Sequence, residues 1–178
     1  WIAALAVKYK VIKQESDKLD NQALIELKKR VDIVPPSLAL AQAAEESGWG
    51  TSRFAIKGNS LFGQWDFSGK GIKPKEQRAH LGNYGIAAFE SPEASIEAYM
   101  LNLNTHRAYQ RMRQKRAVFR QQNKAPNGWD LANTLDKYSE RGNDYVKSLH
   151  AIMSYNKLND ADLAYLWDKG KIVVSPAP

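Results

Sequence analysis

The chain has 178 residues, 43% of them hydrophobic and 25% charged, the balance of one folded domain large enough to bury a core without metal or disulfide. It contains no cysteine, which excludes a disulfide staple, a thiolate nucleophile and a cysteine-ligated zinc. Twenty-six basic against 19 acidic residues leave a net charge of +7, which favours polyanionic partners such as nucleic acid, anionic lipid or an acidic cell wall.

The longest apolar run, Trp1-Ile2-Ala3-Ala4-Leu5-Ala6-Val7, is cut off by Lys8 and Lys10, far short of the roughly 20 residues of a membrane span, and reads as a core helix. The chain opens in mid-pattern with no initiator methionine, so an export signal is expected upstream. From Asp20 to Lys29, capping residues come first and basic residues last, the order a helix prefers. Val34-Pro35-Pro36-Ser37 breaks that pattern and starts a second helix, because proline in a first turn removes an N–H that would be unpaired anyway. This helix should run through Leu38, Leu40, Ala41 and Ala44 to about Ser47, stopped by Gly48 and Gly50, with Glu46 in its last turn.

Between Asn59 and Phe89 the helical period disappears and glycines recur among aromatic residues, which predicts a small β lobe. Ser68-Gly69-Lys70-Gly71 and Gly82-Asn83 are its expected turns and Ile86-Ala87-Ala88-Phe89 a returning strand. Ser91-Pro92-Glu93 supplies a cap, a first-turn proline and a first-turn acid. Helices are then expected over Pro92–Asn104, Ala108–Gln121, Gly128–Leu135, Asn143–Tyr155 and Asn159–Trp167, before a loose tail from Ser175 to Pro178. The outline is one mostly α domain over 1–178: N-terminal helices over about 1–33, core helices over about 34–58 and 91–170, and an antiparallel β lobe over about 59–90.

The densest chemistry lies in Ala41-Gln42-Ala43-Ala44-Glu45-Glu46-Ser47-Gly48-Trp49-Gly50 and in Gly58-Asn59-Ser60-Leu61-Phe62-Gly63-Gln64-Trp65, which join an acid to sugar-binding residue types. Glu46 faces the negative end of a helix dipole, Glu45 adds like charge, and Trp49 is placed to desolvate it; all three favour a protonated carboxyl. A general acid for glycoside cleavage has to hold its proton near neutral pH. The rings of Trp49, Phe62 and Trp65 suit the apolar faces of pyranoses, and Gly48, Gly50 and Gly63 let a polymer approach the backbone. A solvated acid at a helix end beside core aromatics fits the spacing equally well.

Between Arg107 and Arg120 stand six basic residues and no acid. At helical spacing Arg113, Arg116 and Arg120 share a face, but no helix-turn-helix, zinc-finger or RNA-recognition signature accompanies it. A solvated basic face, with contact to an anionic wall or membrane surface as the alternative, is the reading; no nucleic acid is expected. His80, His106 and His150 lack paired metal-ligand spacing and are assigned structural roles, with no metal. Neither a Gly-x-Ser-x-Gly elbow nor a phosphate loop is present.

From about Val34 to Leu158 the sequence resembles the bacterial glucosaminidase family, glycoside hydrolase family 73, in its Bax-like branch. Four segments carry the resemblance in order: Ala41 to Ala55, Leu61-Phe62-Gly63-Gln64-Trp65, Asn102-Leu103-Asn104-Thr105-His106-Arg107-Ala108-Tyr109, and Tyr138-Ser139-Glu140-Arg141-Gly142-Asn143-Asp144-Tyr145-Val146. The resemblance implies a lysozyme-like α+β fold with a β lobe across a substrate groove, and hydrolysis of N-acetylglucosaminyl bonds in peptidoglycan without metal or cofactor. The family's acid falls on Glu46 and its essential tyrosine on Tyr138. Gln42, Trp49, Asn59, Phe62, Gln64, Trp65 and Tyr145 are the expected substrate contacts, a core position being equally consistent for Tyr145. His106 is placed to orient a loop beside the groove.

Close relatives often carry two cysteines where this chain has Asp66 and Lys70, whose salt bridge would substitute weakly, by about 0–1 kcal/mol. Glu76 and Asp66 are the only acids between Trp65 and Phe89, which makes Glu76 the candidate second carboxylate. Three routes then stay open: inverting, with carboxyls about 6.5–9.5 Å apart; retaining, at about 5–5.5 Å; or attack by the substrate's own 2-acetamido oxygen. The expectation is a monomeric endo-β-N-acetylglucosaminidase of the cell envelope, periplasmic or extracellular, acting on glycan strands. A muramidase, a lytic transglycosylase and a non-catalytic peptidoglycan-binding module are the alternatives.

Overall fold

The computed structural model describes residues 1–76, 82 and 84–164. Along the chain the elements are α1 (Ile2–Lys8), α2 (Asn21–Arg30), α3 (Pro36–Ser47), α4 (Arg53–Gly58), β1 (Trp65–Asp66), β2 (Gly85–Ile86), α5 (Pro92–Thr105), a 3-10 turn (Arg107–Tyr109), α6 (Gln110–Gln121), α7 (Gly128–Ala132), α8 (Asn143–Tyr155) and a final 3-10 helix (Leu158–Leu163). The fold is mostly α with a small antiparallel lobe, in keeping with the lysozyme-like class expected from the sequence.

Local chemistry sets the helix starts. The Asp20 carboxylate accepts from Ala23 N–H, Ser52 Oγ from Ala55 N–H, Ser91 Oγ from Ala94 N–H and the Asn127 side chain from Asp130 N–H, while α3 and α5 carry proline in their first turns. α3 is the central helix and packs on α7, α8 and the final 3-10 helix. The Asp162 carboxylate ties three of these together, accepting from Ser37 N–H, Ser37 O–H and Gly128 N–H at 2.7–2.8 Å. Gly128 is required there, since a Cβ would stand 2.1 Å from Ser37 Oγ. Tyr145, Leu149 and Met153 recur at i, i+4 and i+8 on α8 and bury against Leu38, Ala41, Leu131 and Leu135.

The described part of the lobe holds one short antiparallel pair. Among the described residues, antiparallel pairing is confined to Trp65 opposite Ile86 and Asp66 opposite Gly85, with an isolated bridge from Ile72 to Ile86. Beyond Ile86 the expected strand becomes a tether, in which Ala87 N–H donates to Gln64 O and Phe89 N–H to Gly58 O. At the 68–71 turn the Asp66 carboxylate accepts from Ser68 N–H at 3.0 Å and Gly71 N–H at 2.6 Å. Backbone donors, rather than Lys70, hold that acid, so the expected salt bridge is replaced by a capped turn.

Three further expectations are corrected. α1 buries only Ala6, with Trp1 91% and Ile2 41% exposed, so it is a surface helix rather than a core one. α4 falls inside the 34–58 stretch expected to be helical, though the only helix delimited there ended at about Ser47. Arg113 and Arg116 are buried at 3% and 0% exposure, so the face they share is no solvated stripe. Helices α2 and α5 end beside α6, and their unpaired terminal carbonyls need donors. Arg113 Nη1 donates to Leu103 O and His106 O, while Arg116 donates to Lys29 O, Ile33 O and Asn104 Oδ1. Arg111, Lys115 and Arg120 pair with Asp136, Asp130 and Asp32. The expected helix over Asn159–Trp167 is a 3-10 helix as far as Leu163; Asn83, His80, residues 165–167 and the 175–178 tail lie outside the described residues.

Candidate active site

Glu46 sits in the last turn of α3, where the chain reverses through three successive left-handed residues, Gly48 (φ 57°), Trp49 (φ 57°) and Gly50 (φ 77°). Ser47 Oγ locks this reversal by donating to Ala43 O and accepting from Gly50 N–H at 2.7 Å. Trp49 is thereby turned outward, 62% exposed and away from the cleft wall, so it does not shield Glu46 as expected.

An open cleft of about 1510 Å³ runs between the helical body and the lobe. Glu46, Gly63, Gln64, Tyr109 and Tyr138 line it on the body side, and Trp65, Phe67, Glu76 and Tyr84 on the lobe side. Gly63 brings its backbone against the acid: a Cβ at this position (φ +59°) would stand 3.3 Å from Glu46 Oε2. Burial is the main reason the Glu46 carboxyl is held above its ordinary range, and the neighbouring Glu45 pushes the same way; a hydrogen bond from Tyr145 and the charge of Arg141 oppose it. Glu45 itself pairs with Arg141, whose Nη2 also donates to Ser148 Oγ at 2.6 Å. That ion pair ties the Tyr138 segment to the end of α3.

Behind the acid lies a relay of buried hydroxyls. Tyr99 O–H donates to Gln42 Oε1 at 2.7 Å, and Gln42 Nε2 donates to the Tyr145 oxygen at 2.8 Å. Because the Tyr145 oxygen accepts from Gln42, its own hydrogen is directed to the Glu46 carboxylate. Tyr138 stacks on Tyr145 (centroids 5.5 Å apart, 4° between planes) and donates to Phe62 O at 3.3 Å. Burial pushes the phenols of Tyr99, Tyr138 and Tyr145 upward, so all three stay protonated at neutral pH.

Glu46, Tyr138, Gln64, Trp65 and Glu76 therefore meet in one cleft. Gln42 (0% exposed) and Tyr145 (1%) stand behind it with no surface for a ligand in the cleft; through their hydrogen bonds they hold the Glu46 side chain. The Phe62 ring is stacked 3.8 Å from Tyr99 inside the core and is only 3% exposed, so it offers the cleft almost no surface. Asn59 (φ 50°) ends α4 and donates Nδ2–H to Phe89 O, which joins lobe to body. Gln64 Oε1 is buried without a hydrogen-bond partner among the described residues. Trp65 is 47% exposed, backed by Tyr84 at 5.2 Å and edged by Phe67 at 5.9 Å; the sequence reading missed these two neighbours, although the glycine-and-aromatic composition of the lobe was their signal. His106 lines the cleft and accepts from Ala108 N–H, while His150 stacks on Trp129 at 4.1 Å. Among the described residues, no three His, Asp or Glu side chains converge as a metal site would require.

A family model described as mannosyl-glycoprotein endo-beta-N-acetylglucosaminidase, the glucosaminidase domain, matches residues 21–158. The chain is 37% identical over 131 residues to the protein named bax of Escherichia coli strain K12, a match that covers 74% of this chain and 46% of that one. It thus spans about half the length of the curated relative it matches. No solved structure matches the chain.

Proposed function

This chain belongs to the glucosaminidase family, and on that premise we propose that it hydrolyses peptidoglycan glycan strands in the cell envelope as an endo-β-N-acetylglucosaminidase, with Glu46 as general acid. The supporting observation is a half-buried carboxyl, held above its ordinary range, in the wall of a cleft open enough for a polymer. Glu46 gives its proton to the departing glycosidic oxygen as the bond from C1 to that oxygen breaks, and a water oxygen ends on C1. Tyr138, packed by Tyr145 and Tyr109, lies against the reacting sugar. Trp65 offers its exposed face to a pyranose.

On the lobe, Asp66 is committed to backbone donors, so Glu76, on the cleft wall, is the lobe carboxylate available to take the proton of the attacking water. If Glu76 is that base, Glu76→Gln removes most turnover; if the 2-acetamido oxygen is the nucleophile, Glu76→Gln stays within a fewfold of the parent. The deciding experiment is digestion of purified sacculi, borohydride reduction and mass spectrometry of the products. Reduced N-acetylglucosamine ends that disappear in Glu46→Gln, with sacculus binding retained, are the expected result. Reduced N-acetylmuramic acid ends would identify a muramidase, anhydro ends a transglycosylase, and an absence of new ends a binding module.

A further inference from the structure

The family match starts at residue 21, yet the wall of the cleft includes Lys10, together with Asn102, Thr105 and His106 at the end of α5. Lys10 occupies an unusual backbone position. It closes α1 with its N–H on Val7 O (2.9 Å) and that of Val11 on Ala6 O (2.8 Å), the paired bonds of a Schellman turn, and it takes the left-handed conformation (φ 57°) that this turn demands. Glycine normally fills such a site, because any Cβ is crowded there. A lysine stands there in spite of that penalty.

The strained residue is also held in place. Arg30 Nη1 donates to both Tyr9 O and Lys10 O at 2.9 Å, while its Nε is fixed by Glu26 Oε1 at 2.8 Å. Beyond this clamped backbone the Lys10 side chain is exposed, and its ammonium has no hydrogen-bond or ion-pair partner among the described residues. Strain kept at one residue, a guanidinium holding its carbonyl and an unsatisfied cation on the wall of the proposed glycan cleft fit a ligand contact.

We propose that Lys10 is an anion subsite of the cleft, supplied from outside the family-matched segment, that binds a carboxylate of the peptidoglycan strand. The inference rests on the glycan reading above. The carboxylate belongs either to the lactyl group of a muramic acid or to its stem peptide, and Lys10 raises affinity for strands that carry it without entering the chemistry.

The test is calorimetric binding to Glu46→Gln protein with and without Lys10→Gly, a substitution that relieves the left-handed strain and so preserves the fold while deleting the charge. Three soluble ligands are compared: peptide-bearing glycan strands, amidase-stripped strands with free lactyl carboxylates, and a chitooligosaccharide without carboxylates. Lys10→Gly is expected to weaken binding of a carboxylate-bearing strand by roughly threefold to tenfold, less at high salt, as for a partly exposed charged hydrogen bond. Lys10→Arg should restore it, and chitooligosaccharide binding should not change. A loss confined to peptide-bearing strands assigns the stem peptide, and a loss on stripped strands the lactyl group. Equal weakening on all three ligands, or none on any, overturns the subsite. Cleavage by the parent is scored separately, so an inactive parent would sink the hydrolase reading and leave this binding result standing on its own.

Discussion

Glu45 and Glu46 are one position apart on α3, which separates their side chains by about 100° around the axis. Glu45 consequently meets Arg141 and anchors the Tyr138 segment, while Glu46 turns into the cleft between Gly63 and Tyr145. The protonation of Glu46 is a balance of named neighbours, so single substitutions should move it in opposite directions. Tyr145→Phe removes a hydrogen bond that favours the carboxylate; the Glu46 carboxyl rises further and the basic limb of the pH–rate profile shifts to higher pH. Glu45→Gln removes a like charge and frees Arg141, which lowers the Glu46 carboxyl and shifts that limb to lower pH. Tyr145→Phe also strands Gln42 Nε2 in the core and should cost about 1–3 kcal/mol in denaturant unfolding. Profiles that move in the same direction in both variants would detach Glu46 from the titration that limits the rate.

At the scale of elements, the features that were legible are those set by neighbours in sequence. Pro36, Pro92, Ser91 and Asn143 mark helix starts that the structure keeps within one or two residues, and Gly48 marks the stop that places Glu46 in a last turn. What could not be read is which helix end a distant side chain reaches. Arg113 and Arg116 sit in a run that reads as a polar face, and only the arrival of α2 and α5 beside α6 gives them six acceptor contacts to make and a reason to be buried. Gln42 shows the same limit, since its partners Tyr99 and Tyr145 lie 57 and 103 residues away. The loop from α4 to β1 depends on both kinds of information. Gly63→Ala introduces a Cβ into a left-handed residue and sets it 3.3 Å from Glu46 Oε2. The backbone conflict should cost about 1–2 kcal/mol of stability, and displacement of the carboxyl should lower kcat at least tenfold, measured on sacculi. A variant that unfolds earlier yet keeps the parent kcat would show that the acid tolerates the shift.

Over the whole molecule, two buried charge sites pull the pH dependence of stability in opposite senses. Burial raises the Asp32 carboxyl, but the hydrogen bonds it accepts from Arg120 and Ile33 N–H and the nearby charges of Arg116 and Arg120 together outweigh that and leave it depressed. Its contribution is present above the unfolded carboxylate range and is lost as pH falls through the folded value. Glu46 is the reverse case: its carboxyl is raised in the folded state, so above the ordinary carboxylate range the unfolded chain ionises more readily and stability falls as pH rises toward the folded value. Glu46→Gln is therefore expected to raise Tm at neutral pH, with the gain fading as pH falls through and below the ordinary carboxylate range, where the parent becomes neutral in both states. Asp32→Asn should act oppositely and more strongly. Arg116 is wholly buried, its guanidinium already drawn down to about 10, and its Nε has no acceptor other than the Asp32 carboxylate at 3.6 Å. Removing that charge leaves an uncompensated buried cation at the junction of α2, α5 and α6, at a cost of about 3–5 kcal/mol. Thermal melts of both variants from pH 4 to pH 8 test the pair together. A Glu46→Gln protein no more stable than the parent at pH 7 would mean that the acid is ionised there without penalty, which is incompatible with its proposed role as proton donor.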